Sequence, residues 1–486
     1  MPLGAAEELW RWIDERKRSC KYPASQLAGS IPESLRRGEG RRRSHRALAD
    51  AQLFLLLTTY YLIKPVREAL ILASEGAEVK SYASAGQALL LLLIVPAYAK
   101  LASRFNRRGL INTVTFIFAG CLVAFYAWSI KPDLALDLGF MKLTVGVIFF
   151  LWVGIFNVMI VAQFWSFAND IYDPQEGKRL FAIVAFGASA GAVLGSYIAE
   201  KLIEPIGVEQ MLLVAAAVLV STLAITNWID SRARNRLSAP GKEKKEESEG
   251  EHIGKGRSFR LVWSKRYLLL IAFFILFLNW VNTTGEYILG RVVSADAAAQ
   301  VAAGAAQGLS EKDLVGKFYA NFFLIVNIVG LAVQLFLVSR IIKWFGLRIA
   351  ILVLPVIALG GYGLIAFAPV LSKIRWVKIA ENSLDYSLNN TVRQSLFLPL
   401  SREEKYNAKQ AIDTFFWRAG DLLSAGLVFL GTQALNFNTQ HFAMVNMVLV
   451  AVWLLIAFWT GRENAQLTGE AKEGRGAPRE VKASAA

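Results

Sequence analysis

The stretch YYLIKPVREALILASEGAE, from Tyr60 to Glu78, closes the first long apolar run of the chain yet carries Lys64, Arg67 and Glu68 inside it. Spacings of three and four residues put these side chains on one face of a helix. One ionisable group at mid-bilayer costs about 2.5–3.5 kcal/mol on insertion scales, so three together require partners or a watery cavity. The plainer reading lets Lys64 and Arg67 snorkel to a membrane edge while Glu68 neutralises them. The second half of the chain repeats the arrangement, which favours the cavity.

Working outward, apolar windows of roughly 20 residues, the length that crosses about 30 Å of hydrocarbon, recur about twelve times. The first are 51–73 and 82–103, and the last are 409–432 and 441–460. With 486 residues and 55% hydrophobic content, the chain is expected to be an all-α membrane protein of twelve transmembrane helices in two six-helix halves. The expected parts are a basic cytoplasmic segment (1–50), an N-terminal half (51–229), a charged cytoplasmic linker (230–265), a C-terminal half (266–462) and a disordered cytoplasmic tail (463–486). The linker contains SAPGKEKKEESEGEHIGKGR, polar and without apolar periodicity. The N-terminal segment lacks a signal-peptide core and offers AAEELWRWIDERKR as an amphipathic, peripheral stretch. The Ala-rich connection 291–317 reads as an exterior helix, a lid or a plain spacer.

The formal charge of +15 lies largely between the spans. Basic residues gather in alternate connections: Lys100, Arg104, Arg107 and Arg108; Lys178 and Arg179; 230–266; Arg340, Lys343 and Arg348; Arg402 and Lys405. The positive-inside rule then places both termini in the cytoplasm, as for a protein of the cell (inner) membrane. Such basicity reports topology and anionic headgroups; no interleaved aromatic–basic module points to nucleic acid. Two cysteines and three scattered histidines suggest neither a disulfide framework nor a metal site. No phosphate-binding G-x-x-x-x-G-K-[ST] loop and no catalytic constellation stands out, so neither ATP hydrolysis, an enzyme nor a cofactor is read. Gly187, Gly191 and Gly195, four apart, form a close-packing helix face.

Internal echoes support two parallel repeats. LASRFNRR (Leu101–Arg108) aligns with IIKWFGLR (Ile341–Arg348), placing Arg108 over Arg348. REALIL aligns with GEYILG, placing Glu68 over Glu286, and DPQEGKR echoes SREEKYNAK. The tenth and eleventh spans are the least apolar. Lys378, Asn382, Asp385, Asn389 and Arg393 share one face of the tenth, with Glu381 beside them; Lys409, Asp413, Gly420 and Ser424 share a stripe of the eleventh, flanked by Arg418 and Asp421. Asn157, Gln163, Asn169 and Asp170 in the fourth span and Asn321, Asn327 and Gln334 in the eighth add further polar positions. Such stripes face other helices or water, never lipid. They can equally be interhelical bonds of about 1 kcal/mol each. Intramembrane cations (Lys64, Arg67, Lys378, Arg393, Lys409, Arg418) balance acids (Glu68, Glu286, Glu381, Asp385, Asp413, Asp421) in number. Guanidinium and ammonium groups suit phosphate and carboxylate ligands.

Four segments resemble the nucleotide transporters of intracellular bacteria and plastids, which exchange ATP for ADP and have the major facilitator fold. They are KPVREALILASEGAEV; FWSFANDIYDPQEGKRLFAIVAFGASAG; the seventh span with Glu286 followed by YANFF; and LFLPLSREEKYNAKQAID. The resemblance covers roughly 50–462. It carries the family's first-span basic residue onto Arg67, where Lys is usual, its seventh-span glutamate onto Glu286, and its lysine opening the eleventh span onto Lys409. The family's glutamate early in the fourth span falls on Val153, with Asn157 kept nearby.

The expected function is nucleotide antiport by alternating access without hydrolysis. Substrate would meet Lys64, Arg67, Glu68, Asn157, Glu286, Asp385, Arg393, Lys409 and Asp413, with Glu68 and Glu286 pairing the cations in the empty state. Arg104, Arg108, Lys178, Arg179 and Arg348 would close the inner side of a monomer. A proton-coupled carrier of another anionic metabolite is the alternative, and a transporter-like receptor or scaffold without flux a second.

Overall fold

The computed structural model describes residues 33–102, 107–131, 136–137, 142–171, 174–237 and 255–476. Arg104 and the amphipathic N-terminal stretch lie outside these residues. Nearly all of the described chain is helical. The helices are α1 (Glu33–Ala102), α2 (Arg107–Ser129), α3 (Val145–Ile171), α4 (Pro174–Ile206), α5 (Met211–Leu237), α6 (Lys255–Ser264), α7 (Arg266–Ala302), α8 (Glu311–Phe336) and α9 (Val338–Phe367). There follow α10 (Leu371–Leu384), α11 (Asn390–Leu396), α12 (Arg402–Ala411), α13 (Trp417–Phe429) and α14 (Thr439–Gly476). A two-residue antiparallel ladder, β1 (Leu136–Asp137) with β2 (Lys142–Leu143), bridges α2 and α3.

Local chemistry sets the breaks. Gly76 takes φ +83°, where a Cβ is strained, and divides α1 into the first two apolar windows. Gly346 (φ +72°) does the same within α9, in the IIKWFGLR strip. Ser310 and Asp313 form a reciprocal cap that starts α8, and Ser401 with Glu404 does so for α12. Single π-helical turns at Asp385–Asn389 and Ile412–Phe416 join α10 to α11 and α12 to α13.

Five helical stretches among the described residues are long and apolar enough to cross a membrane: Ile111–Ser129, Arg266–Ala302, Glu311–Phe336, Val338–Phe367 and Thr439–Gly469. The expected count of twelve is therefore not reached on length and apolarity alone. The first window holds Lys64, Arg67 and Glu68, and α10–α13 hold the polar stripes, so charge dilutes their apolar character. Large side chains such as Leu93, Phe116, Phe367 and Val448 point outward, as an apolar solvent allows.

Two boundaries move. The linker is not uniformly irregular: α5 runs on to Leu237, and α6 lies within 255–264. There α6 packs on α12; Trp263 meets Phe416 and Lys265 pairs with Glu404. That ammonium holds the Glu404 carboxyl below the usual carboxylate range. The expected disordered tail is helical as far as Gly476, because it is rich in strong helix formers and Asn464 donates to the Tyr267 hydroxyl at 2.7 Å. The Ala-rich connection continues α7 to Ala302 before a turn with positive φ at Gly304, Gln307 and Gly308.

Helices before and after the linker meet through α1 against α7, α8 and α13, and through α4 against α8. The glycine face of α4 lies on α1. A Cβ at Gly191 would sit 2.3 Å from the Phe54 carbonyl oxygen, and one at Gly195 2.4 Å from that of Thr58. Backbone oxygens cannot swing aside as side chains do. Gly195→Val is expected to destabilise the protein by about 1–3 kcal/mol or more, read as a lowered melting temperature in detergent; an unchanged midpoint would show that α4 shifts freely.

Candidate functional site

The break at Gly76 turns the start of the second helical segment back beside the first. Lys80, on the near side of that segment, thereby reaches Glu68: its Nζ lies 2.6 Å from Glu68 Oε2, while Arg67 pairs with Oε1 of the same carboxylate. Glu68 is 1% exposed and Lys80 7%, so this is a buried one-acid, two-base cluster. The Arg67 guanidinium also lies 4.8 Å over the Phe150 ring of α3. Lys64, one turn earlier, has no carboxylate within ion-pair distance among the described residues. Its ammonium instead lies 3.9 Å over Phe323, 5.2 Å from the Tyr61 ring, and 3.4 Å from the Tyr386 hydroxyl, to which it donates.

The facing wall comes from α7 and α10 and has the opposite balance. Lys378, fully buried, lies 3.0 Å from Glu381 and 3.4 Å from Glu286, and donates to Asn282 Oδ1 at 3.0 Å. Tyr362 donates to Glu381 at 3.0 Å, and Asn382 to Glu286 at 3.0 Å. Between the walls is a cavity of about 180 Å³ lined by Lys64, Arg67, Glu68, Lys80, Glu286 and Tyr386, among others. Three cations and two carboxylates therefore face one partly open space between the helix sets, and burial of Glu68 and Lys80 strengthens their contact.

Of the nine residues expected to meet substrate, Lys64, Arg67, Glu68 and Glu286 come together here. Asn157, Asp385, Arg393, Lys409 and Asp413 do not line this cavity. Asn157 is half-buried on α3. Asp385 accepts from Asn389 at 2.6 Å within its own π-helical turn. The Arg393 guanidinium lies 4.5 Å over Trp417, Lys409 donates to Gln394 at 2.6 Å, and Asp413 is exposed. These groups tie α11 to α12 and α13 rather than face Arg67. Of the expected pairings, Glu68 meets Arg67, with Lys80 as a second partner, whereas Glu286 pairs with Lys378 and not with Lys64, Arg67, Arg393 or Lys409.

Lys80 and Tyr386 were missed in the sequence. Lys80 sat between two apolar windows, in what reads as a connection. Yet Lys80, Ser84 and Gln87 recur at i, i+4 and i+7 and all line the cavity, so a polar stripe was there to be found.

At the end of the bundle where α7 turns into α8, the helix sets are laced together. Glu204 pairs with Lys317 at 2.7 Å, Glu209 with Lys312 at 3.3 Å, and Asn321 donates to Glu200 at 2.8 Å. The Val208 amide donates to Asp313 at 3.0 Å. Tyr287 donates to Glu78 at 2.8 Å and receives a bond from Arg291, roofing the cavity. Of the residues expected to close the opposite end, Arg108, Lys178 and Arg179 fall on α2 and α4 with side chains outside the described set. Arg348 is exposed, with its guanidinium 5.8 Å from the Phe458 ring of α14. The closing contacts on view are thus at the other end.

The chain belongs to the Major Facilitator Superfamily, whose family model matches residues 52–380. With this family and helices long and apolar enough to cross a bilayer, it is an integral membrane protein. It is similar to ADP,ATP carrier protein 1 of Chlamydia pneumoniae, 24% identical over 62% of this chain and 64% of that protein. The corresponding protein of Chlamydia trachomatis is also 24% identical, over 83% of this chain and 85% of its own length. ADP,ATP carrier protein 3 of Rickettsia bellii is 20% identical over 85% and 93%. Among solved structures, the nucleoside transporter NupG superposes with a TM-score of 0.56 over 86% of this chain and 98% of its own, at 9% identity, which is likeness of fold alone.

Glu68→Gln should leave Arg67 and Lys80 buried without their charge partner and cost about 3–5 kcal/mol. Adding Lys80→Met should restore part of that loss. Denaturation midpoints of the single and double variants in detergent measure it, and losses that merely add would show that the cluster is not coupled.

Proposed function

We propose that this protein is a nucleotide antiporter that exchanges ATP-type for ADP-type anions by alternating access, without hydrolysis. The observation that carries the proposal is the Arg67–Glu68–Lys80 cluster beside the carboxylate-free Lys64, all lining one cavity between the helix sets. Phosphate oxygens accept charge-assisted hydrogen bonds from such groups and compete with Glu68 for them. The similarity to ADP,ATP carrier proteins supplies the substrate class.

In this reading twelve spans arise from α1 (two segments), α2–α5, α7–α9, α10 with α11, α12 with α13, and α14, in two six-helix halves joined by the linker. The basic connections, including the Gly346 strip, face the cytoplasm, with both termini on that side of an inner membrane. The laced end then faces outward. An empty cavity of about 180 Å³ is below the roughly 300–1,000 Å³ typical of ligand pockets. Substrate entry therefore requires the halves to part on the inner side, with phosphates displacing Glu68 from its cations and relaxing the empty-state lock. A single polypeptide contains both halves and works as a monomer.

The test is uptake of labelled ATP by liposomes carrying the purified protein, preloaded with ADP or left empty. Uptake in preloaded vesicles only, reduced at least tenfold in Arg67→Ala and in Lys80→Ala, is expected. Lys409→Ala, outside the cavity, should lower the rate less than either. Uptake by empty vesicles driven by a pH gradient would replace exchange with proton coupling, and saturable binding without flux would favour a receptor.

A further inference from the structure

A second cavity, of about 590 Å³, adjoins the charged one. Tyr386 lines both, and Lys64 donates to its hydroxyl, so this contact lies at the boundary between them. The second space lies among α1, α4, α8 and the turn from α10 to α11. Its described lining contains no charged residue. Three aromatic rings, Tyr61, Phe186 and Tyr386, stand in it beside the amides Asn327, Gln334 and Asn390. Tyr386 is 43% exposed and Phe186 53%, so both offer ring surface that the protein itself does not cover.

We propose that this cavity is the subsite for the flat, neutral heteroaromatic ring of a phosphorylated substrate. The inference rests on the nucleotide reading above and deepens it. Chemistry fixes the orientation. A phosphate in the uncharged cavity would lose its hydration and find no cation, whereas Lys64, Arg67 and Lys80 await it across that boundary. A base ring presents two apolar faces, suited to the exposed aromatic surfaces, and an edge of alternating donors and acceptors, suited to amides. Asn327 already spends its NH₂ on Ala192 O at 3.3 Å and Ser196 Oγ at 3.1 Å, which holds its carbonyl oxygen in place as an acceptor. Gln334 and Asn390 are exposed to the space, so they read the ring edge. Tyr386 and Lys64 fall at the ribose–phosphate junction. On this assignment Asn327, already bonded to α4, presents its carbonyl oxygen to the ring, and Gln334 of the same span acquires a role.

The test measures equilibrium binding to the full-length protein in nanodiscs, using ATP, GTP and inorganic tripolyphosphate as probes. Ser189→Trp places an indole in the second cavity and should weaken ATP at least tenfold while leaving tripolyphosphate within about twofold of wild type. Gln334→Leu and Asn390→Leu, which leave the space open, should alter the ATP to GTP ratio severalfold with tripolyphosphate unchanged. Melting temperature and elution volume of each variant report folding. Parallel loss of ATP and tripolyphosphate in folded Ser189→Trp would overturn the assignment, because the indole would then be disturbing the phosphate site. ATP binding unchanged in all three variants would overturn it too. So would a co-purifying lipid chain that Ser189→Trp expels with no effect on ATP, which would make the cavity a lipid groove entered past Phe186. Wild-type protein that binds neither ATP nor tripolyphosphate would instead remove the nucleotide reading, and this subsite with it.

Discussion

The carboxylate of Glu68, shared between Arg67 and Lys80, is the contact on which the centre of the molecule depends. Two cations and one anion are held away from bulk water, and each would be costly there alone. The cluster also dictates local geometry. Lys80 can reach Glu68 only because Gly76 adopts a positive φ and folds the second segment back along the first. With the triad in place, α1 presents its charged face inward, its apolar residues Leu62, Ile63, Val66, Ala69 and Leu70 are buried around it, and α4 seats its glycines against the same helix. Helix packing and charge placement are thus one problem solved once.

Charge is divided unevenly between the walls. The α1 wall has Lys64, Arg67 and Lys80 against Glu68; the α7–α10 wall has Lys378 against Glu286 and Glu381. Among the charged residues singled out within the apolar windows, cations and acids come out equal, which conceals this polarity. An anion attracted to the first wall is not equally attracted to the second, whose Lys378 is fully buried and already committed to Glu381 and Asn282. Such an arrangement leaves the second wall hydrogen-bonded within itself.

The all-helical membrane character was legible because apolar windows and glycine spacing are local properties of the chain. Gly191 and Gly195 announced a close-packed face, and the structure supplies its partner in α1. Part of the site was legible for the same reason: Lys64, Arg67 and Glu68 interrupt an apolar run, and Glu286 sits at the matching point of the second half. What could not be read is which intramembrane charges meet. Asp385, Arg393, Lys409 and Asp413 have the residue types and spacing of a site, yet they engage their own turn, an aromatic ring, a neighbouring amide and solvent. Lys80 was hidden by the opposite error, since a lysine between two windows looks like a loop residue until the sharpness of the Gly76 turn is known. Amphipathic α6 and the helical extension to Gly476 depend on partners, Glu404 and Tyr267, that are remote in sequence.

On the proposed antiport reading, the two cavities and the laced end correspond to one half of a cycle. Contacts at the α7–α8 turn involve exposed or half-exposed ion pairs, such as Glu204 with Lys317, each worth no more than about 1 kcal/mol. They are therefore strong enough to bias the halves toward closure at that end and weak enough to be broken singly. The buried triad is different: it resists separation unless a replacement anion arrives. On the same proposed reading, weak pairs at the rim and a strong, exchangeable pair at the centre let the halves open to either side only when an anion has taken the place of Glu68. Exchange would follow from that hierarchy, because an empty molecule would return to the locked triad while a loaded one would be released from it.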